Sequence, residues 1–119
     1  MHEAGIAQSI VDTVLKTVED GRVKERILAV TVVVGAYQGI YPESLEMYFD
    51  AAKKGTSLSE ARLDVKLRPA VARCEGCGVE EGIEAPILLC PACGGQRHLL
   101  SGDELYVESV ETEDGQEDT

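Results

Sequence analysis

Residues 74–77 read Cys-Glu-Gly-Cys and residues 90–93 read Cys-Pro-Ala-Cys, and these two stretches hold all four cysteines of the 119-residue chain. A two-residue spacer lets both sulfur atoms of a pair turn toward one point, and twelve residues separate the two pairs. Two such pairs supply the four soft thiolates that a tetrahedral zinc ion prefers. The sequence therefore predicts a zinc ribbon over residues 70–102, with four ligands: Cys74, Cys77, Cys90 and Cys93.

The same cysteines leave three other kinds of chemistry open. Two disulfides would need an oxidising compartment, and nothing in the sequence points to one. Four free thiols are the second alternative. Iron is the third, because Cys-Pro-x-Cys-Gly pairs also suit a rubredoxin-like electron carrier. A chain with one Phe, four Tyr and no Trp, and with a large helical region, fits such a carrier poorly.

Upstream of the cysteines, the hydrophobic pattern predicts two helices and two strands. Residues 3–20 carry apolar side chains at helical spacing, which is typical of an amphipathic helix. Residues 26–34 form a continuous β-branched run, which indicates a buried strand. Pro42 suits the first turn of a second helix, and the predicted buried face of that helix consists of Leu45, Tyr48, Phe49 and Ala52. Residues 62–68 alternate between apolar and charged, so we expect a half-buried strand with three core-facing residues: Leu63, Val65 and Leu67.

Downstream of the cysteines, residues 104–110 read as a third strand that can return to the sheet of the first two. The predicted fold class is therefore α+β, with two helices on a small three-stranded sheet and an inserted four-cysteine zinc ribbon. The predicted domains are 1–69 plus 103–111 for the α/β unit and 70–102 for the zinc-binding unit. Residues 112–119 are acidic, and we expect them to form a disordered tail.

The formal net charge of −11 is concentrated near the end of the chain. Residues 103–119 carry eight acids and no base, which leaves fourteen acids against eleven bases elsewhere. An acidic surface repels phosphate, so nucleic acid is not an expected partner. No apolar stretch is long enough to span a bilayer and no signal-peptide pattern is present, so we expect a cytoplasmic protein with no membrane partner.

No combination of residues points to catalysis or to nucleic-acid recognition. The sequence lacks a glycine-rich phosphate loop, and metal binding would leave no free thiol as a nucleophile. We therefore expect no enzymatic activity. A zinc-ribbon module that binds nucleic acid is not favoured, because the chain lacks basic stripes and stacking aromatic residues. A zinc-ribbon module that binds protein remains an alternative.

The first three residues, Met1-His2-Glu3, form a second candidate metal site. The α-amine, the deprotonated amide nitrogen of His2 and the Nδ1 atom of His2 can close fused chelate rings. This planar nitrogen set suits Ni(II) or Cu(II) and suits zinc poorly, and Glu3 could add an oxygen ligand or orient the site. The alternative is a polar helix start, with Glu3 near the positive end of the helix dipole.

Taken in order, these features resemble the HypA family of nickel metallochaperones, and the resemblance covers nearly all of the chain. In the first half, the matching pieces are Met1-His2-Glu3, Ala-Gln-Ser-Ile at 7–10, the valine-rich strand running into a glycine, and Pro-Glu at 42–43. In the second half, they are Gly-Thr at 55–56, the two cysteine pairs each followed by glycine, and Ser-Gly-Asp-Glu-Leu at 101–105.

The resemblance implies a role in the maturation of nickel–iron hydrogenase, with nickel as transient cargo and zinc as a structural ion. It implies the nickel ligands Met1, His2 and Glu3, and it assigns zinc to the four cysteines. The implied partners are a HypB-type GTPase and the hydrogenase large-subunit precursor, and some family members also serve urease. We expect a monomer or a weak dimer.

Two further stretches bear on the metal sites. Residues 35–41 contain no carboxylate, whereas the family often has an acid after the glycine, so this loop cannot supply an accessory oxygen ligand. His98 lies five residues after Cys93 and is a candidate secondary metal ligand, able to replace a thiolate or to capture nickel transiently. Its alternative role is that of an exposed residue on the strand that returns from the ribbon.

Overall fold

The computed structural model describes residues 3–83 and 88–118, and within that part it contains two α-helices and seven strands. In chain order these are α1 (Glu3–Glu19), β1 (Ile27–Gly35), α2 (Pro42–Ala52), β2 (Arg62–Arg68), β3 (Val71–Cys74), β4 (Glu80–Gly82), β5 (Arg97–Ser101), β6 (Leu105–Thr112) and β7 (Gly115–Asp118). A short 3-10 turn, Ala36–Gln38, separates β1 from α2. One sheet has the order β2-β1-β6-β7, and the other has the order β4-β3-β5. The predicted α+β class is therefore confirmed.

Strand β1 is an inner strand of the larger sheet because its β-branched residues can be buried on both faces. Its neighbour β2 is parallel and its neighbour β6 is antiparallel. A parallel neighbour requires a crossover connection, which α2 provides. Strand β6 is the predicted third strand that returns from beyond the cysteines. Val30, Val32 and Val34 of β1 have no exposed surface and belong to the main hydrophobic core.

The two helices pack against each other and contribute the other half of this core. Of the α1 residues predicted from helical spacing, Ile6, Ile10, Val11 and Val14 are buried, whereas Leu15 and Val18 are only partly buried. Leu45 and Phe49 of α2 are fully buried, but Tyr48, which the sequence pattern places on the buried face, is 39% exposed. Leu45 and Phe49 form a narrow stripe at a spacing of four, and Tyr48 lies to its side. Neither helix in the described part of the chain has the length and apolar content needed to cross a membrane.

Strand β2 follows the prediction over its first half only. Leu63 is buried and Val65 packs against the core, whereas Leu67 is 54% exposed. Strand β2 is one of the two edge strands of its sheet, so its last residues have a neighbouring strand on one side only. On the opposite face, Arg62 and Lys66 reach across β1 and form ion pairs of 3.1 and 2.7 Å with β6, to Glu111 and Glu108 respectively.

Part of the acidic end of the chain, residues 115–118, forms a strand where the sequence predicts disorder. Residues 112–119 are assigned to a disordered tail by their composition, but Gly115–Asp118 form β7, antiparallel to β6. A two-residue turn at Glu113 and Asp114 connects the two strands, so that Thr112 pairs with Gly115. An edge strand tolerates charged residues, because they discourage pairing with other chains. The larger sheet consequently has four strands and not the three predicted.

The smaller sheet is an insertion between β2 and β6 in an elongated molecule that measures 53 × 24 × 18 Å. Residues 69–70 lead into it and residues 102–104 lead out of it. The two connections touch, because the backbone of Gly102 lies so close to Ala70 that a Cβ atom on Gly102 would overlap it. At the end of β5, the Ser101 hydroxyl also donates a hydrogen bond of 3.1 Å to the carbonyl oxygen of Pro69. The chain therefore enters and leaves the cysteine-bearing sheet at one point.

Candidate metal centre

The four cysteine sulfur atoms form one group, which we call the thiol cluster (Cys74, Cys77, Cys90 and Cys93). All four atoms lie within 4.8 Å of one another, with 3.4 Å between Cys74 and Cys93 and 3.8 Å between Cys77 and Cys90. Zinc–sulfur bonds of about 2.3 Å in a tetrahedron separate the sulfur atoms by about 3.8 Å. A disulfide would require about 2.05 Å, so the cysteines are free thiols. In the described part of the chain, this is the one group of three or more His, Cys, Asp or Glu side chains able to hold a metal ion.

Each cysteine pair forms a tight turn whose backbone amides point at sulfur. In the first turn, the amides of Gly76 and Cys77 donate hydrogen bonds of 3.3 and 3.4 Å to the sulfur of Cys74. In the second turn, the amide of Gly95 donates one of 3.4 Å to the sulfur of Cys93. A Cβ atom on Gly95 would lie 3.1 Å from the sulfur of Cys74. Glycine at this position therefore lets the backbone approach the cluster closely.

The electrostatics of the thiol cluster favour a bound cation. The pKa of Cys74 is lowered to about 6, chiefly because the backbone amide of Cys77 donates a hydrogen bond to its sulfur. The hydrogen bond from the Gly95 amide lowers the pKa of Cys93. Hydrogen bonds with the neighbouring cysteines, above all Cys74, and desolvation outweigh this effect, so the pKa of Cys93 rises to about 11. Four thiolates cannot occupy so small a volume unless positive charge offsets their repulsion. The cluster therefore fits a soft divalent cation that binds thiolate.

A buried arginine, which the sequence pattern does not single out, lies beside the cluster. Arg97 is 5% exposed and pairs with Cys74 in the register of β3 and β5. Its Nη1 atom donates a hydrogen bond of 2.6 Å to the carboxylate of Glu81 on β4, across the central strand. Arg97 thus places a fixed positive charge in the sheet whose central strand ends at Cys74. Strand pairing brings these residues together, and which residues of two strands pair cannot be predicted from their spacing in the sequence alone.

His98 lies outside the thiol cluster. It is the next residue of β5 and therefore points to the opposite face of the smaller sheet, where it pairs in register with Arg73. Its side chain is 49% exposed, and its Nδ1 atom is 3.6 Å from a carboxylate oxygen of Glu75. The structure therefore does not bring His98 to the four sulfur atoms.

Of the three predicted nickel ligands, Met1 and His2 lie outside the described residues. Glu3 is the first residue of α1, and its side chain is half-buried. A carboxylate in the first turn of a helix is favoured by the helix dipole. The position of Glu3 therefore agrees both with a role in nickel binding and with a polar start to the helix. The predicted nickel set thus stays a prediction from the sequence.

The chain matches one protein family over nearly its whole length. The sequence model of the family described as "Hydrogenase/urease nickel incorporation, metallochaperone, hypA" matches residues 1–112. A protein of Geotalea daltonii named Hydrogenase maturation factor HypA is 40% identical over 111 residues, which cover 92% of this chain and 97% of that protein. A protein of Chlorobium limicola with the same name is 41% identical over 118 residues, which cover 97% and 99% of the two chains.

The fold also matches a solved structure. The structure described as "Solution structure of the Ni metallochaperone HypA from Helicobacter pylori" aligns with a TM-score of 0.66 and covers 94% of this chain and 97% of that one. The two sequences are 18% identical in this alignment, so this likeness bears on the fold alone. It covers the helical unit and the cysteine-bearing unit together.

Proposed function

The chain belongs to the HypA family of nickel-incorporation metallochaperones, and we propose that it delivers nickel to a hydrogenase during maturation of that enzyme. The observation that carries this proposal is the family match over residues 1–112, which includes both the amino terminus and all four cysteines. The named relatives favour hydrogenase over urease as the destination. A rubredoxin-like iron protein and a zinc-ribbon interaction module without nickel are not favoured, because neither accounts for the helical unit.

The proposed nickel ligands are the Met1 amine, the amide and imidazole nitrogens of His2, and the Glu3 carboxylate. Three nitrogen atoms at one chain end favour the square-planar geometry that Ni(II) accepts. A terminal chelate is also open on one side, so an acceptor protein can approach and exchange ligands. This openness suits a carrier that must release its metal.

The proposed occupant of the thiol cluster is a structural zinc ion. Four thiolates with no vacant ligand position are typical of structural zinc, whereas a site for transferable nickel needs an exchangeable ligand. When bound, zinc would supply the positive charge that lets Cys74, Cys77, Cys90 and Cys93 ionise together. The chain's own contribution is the set of amide donors on Gly76, Cys77 and Gly95 that orient and stabilise the thiolates.

Nickel carriage and zinc binding are proposed for different units of the chain. We assign nickel carriage to residues 1–69 with 103–111, and zinc binding to residues 70–102. Nucleotide hydrolysis would come from a partner, a HypB-type GTPase, since this sequence lacks a phosphate-binding loop. The acceptor would be the hydrogenase large-subunit precursor, in the cytoplasm. The role proposed for this chain is carriage and not catalysis.

The delivery step can be tested by nickel transfer in vitro. Zinc-loaded protein carrying ⁶³Ni is mixed with the purified large-subunit precursor, and the label that moves to the precursor is counted after separation. We expect transfer from the native protein and from the His98→Ala variant, and little loading or transfer from the His2→Ala variant. Equal transfer by all three would remove the amino terminus from the proposal, and a precursor that gains label only at the rate seen with free nickel would refute delivery itself.

A further inference from the structure

A groove with a volume of about 960 Å³ runs between α1 and β6. Its floor is the sheet face formed by Val32, Leu105 and Val107, and its wall is one flank of α1. Leu105 and Val107 are only partly buried, because helix α2 packs on the other side of α1 and against β2. The first half of β6, with Leu105 and Val107, is therefore left partly uncovered, whereas Val110 further along the strand is fully buried in the core.

The shape of the groove suits a helix better than it suits a strand or a small molecule. Gly5, Ser9 and Thr13 line it at a spacing of four, so the flank of α1 carries small side chains that let a second helix approach closely. The floor is a sheet face and offers no unpaired backbone edge for an added strand. The groove is bounded by α1, the turn that follows α1 and the sheet, and it is open on its other side, whereas small-molecule sites bury most of the ligand surface.

The charge of the groove selects an acidic occupant. Lys16 and Arg22 both line it, in a chain whose net charge is −11. Among the described residues no carboxylate forms an ion pair with Lys16, and Arg22 has one exposed pair, at 3.3 Å, to Asp20. Acidic side chains on an amphipathic helix would complement these two cations.

The position of the groove identifies which partner would use it. Gly5 lies two residues beyond Glu3 on α1, so one end of the groove is adjacent to Glu3, one of the proposed nickel ligands. From Gly5 to Lys16 the helix rises about 16 Å, which is about three turns of a second helix lying alongside. We propose that the groove binds an amphipathic helix of the nickel acceptor, with acids near Lys16 and with its other end beside the nickel. This inference rests on the proposed function.

The test measures binding of the purified hydrogenase large-subunit precursor to nickel-loaded, zinc-loaded protein by calorimetry. We expect Ser9→Trp, which fills the groove, to weaken binding at least about tenfold, and Lys16→Glu to weaken it about tenfold. Two controls should change the dissociation constant less than about twofold: Gln8→Trp, on α1 but outside the groove, and Lys54→Glu, which makes the same charge change elsewhere. Helical circular dichroism confirms that each variant is folded.

Each other outcome has a defined meaning. Precursor binding that is unaffected by Ser9→Trp and Lys16→Glu would overturn the groove proposal and leave nickel carriage intact. A native protein that binds nickel but not the precursor would overturn it equally. A photo-crosslinker at Thr13 gives a second check, because the crosslinked precursor peptide should belong to an acidic amphipathic helix. A crosslink to a loop, or to a second copy of this chain, would contradict the proposed occupant.

Discussion

Gly35 and Gly102 touch backbone to backbone where the two sheets join: a Cβ atom on Gly35 would overlap the carbonyl group of Gly102 and lie 2.6 Å from the amide nitrogen of Asp103. The Gly102 carbonyl accepts a hydrogen bond of 2.8 Å from the amide of Tyr37, and the amide of Gly35 donates one of 2.7 Å to the carbonyl of Glu104. Gly102 itself has a φ of +104°, and a Cβ atom there would overlap the backbone of Ala70. The end of β1 is thus held against the connection that leaves the cysteine-bearing sheet, and that connection is in turn packed against Ala70 of the connection that enters it.

The first prediction concerns this junction. Gly35→Ala should lower the free energy of unfolding by about 1–3 kcal/mol, because the backbone has no space for the added methyl group. Gly5→Ala is the matched control: a Cβ atom there meets nothing within 4 Å, and alanine in a helix should be neutral or slightly stabilising. Urea unfolding measures both. A Gly35→Ala variant as stable as the native protein would show that the junction can relax.

The second prediction separates two adjacent aromatic residues of α2. Phe49 is fully buried, whereas Tyr48 is 39% exposed. Phe49→Ala should cost about 3–5 kcal/mol of unfolding free energy because it leaves a cavity in the core, and Tyr48→Ala should cost less than about 1 kcal/mol. Thermal unfolding of the two variants provides the comparison. Equal losses would mean that Tyr48 packs in the core, as its helical spacing suggests.

The third prediction concerns the buried arginine beside the thiol cluster. Arg97→Met removes its hydrogen bond to Glu81 and the positive charge opposite Cys74, so the apparent affinity for zinc should fall about tenfold. Arg73→Met, on the exposed face of the same strand pair, should change the affinity little. Competition with a chromogenic zinc chelator measures both variants. A native affinity in Arg97→Met would assign Arg97 to packing alone.

The fourth prediction concerns metal removal. Among the described residues 69–83 and 88–104, few apolar side chains are buried, mainly Ala70 and Ala72 in addition to Cys74 and Cys90, so the fold of the smaller sheet should depend on the metal. Stripping zinc with a chelator should collapse the amide NMR signals of residues 71–101, while signals from the core of β1 and the helices persist. Retention of dispersed ribbon signals in verified metal-free protein would contradict this dependence.

The sequence sufficed for those features that local chemistry determines. The spacing of the cysteines predicted one thiol cluster, the valine run predicted an inner strand, and Pro42 predicted the start of α2. The features that were missed depend on which strands become neighbours. Leu67 is exposed because β2 lies at an edge, residues 115–118 are ordered because β6 offers them an open edge, and Arg97 lies beside Cys74 through strand register.

A nickel titration tests most directly the claim that nickel binds at the amino terminus. Zinc-loaded, untagged protein with an intact Met1 is titrated with Ni(II) by calorimetry and by d–d absorption, beside the variants His2→Ala and His98→Ala. We predict one nickel per chain with a square-planar spectrum in the native protein and in His98→Ala, and loss of that binding in His2→Ala. Equal binding by the native protein and His2→Ala would contradict the claim and would direct attention to the thiol cluster.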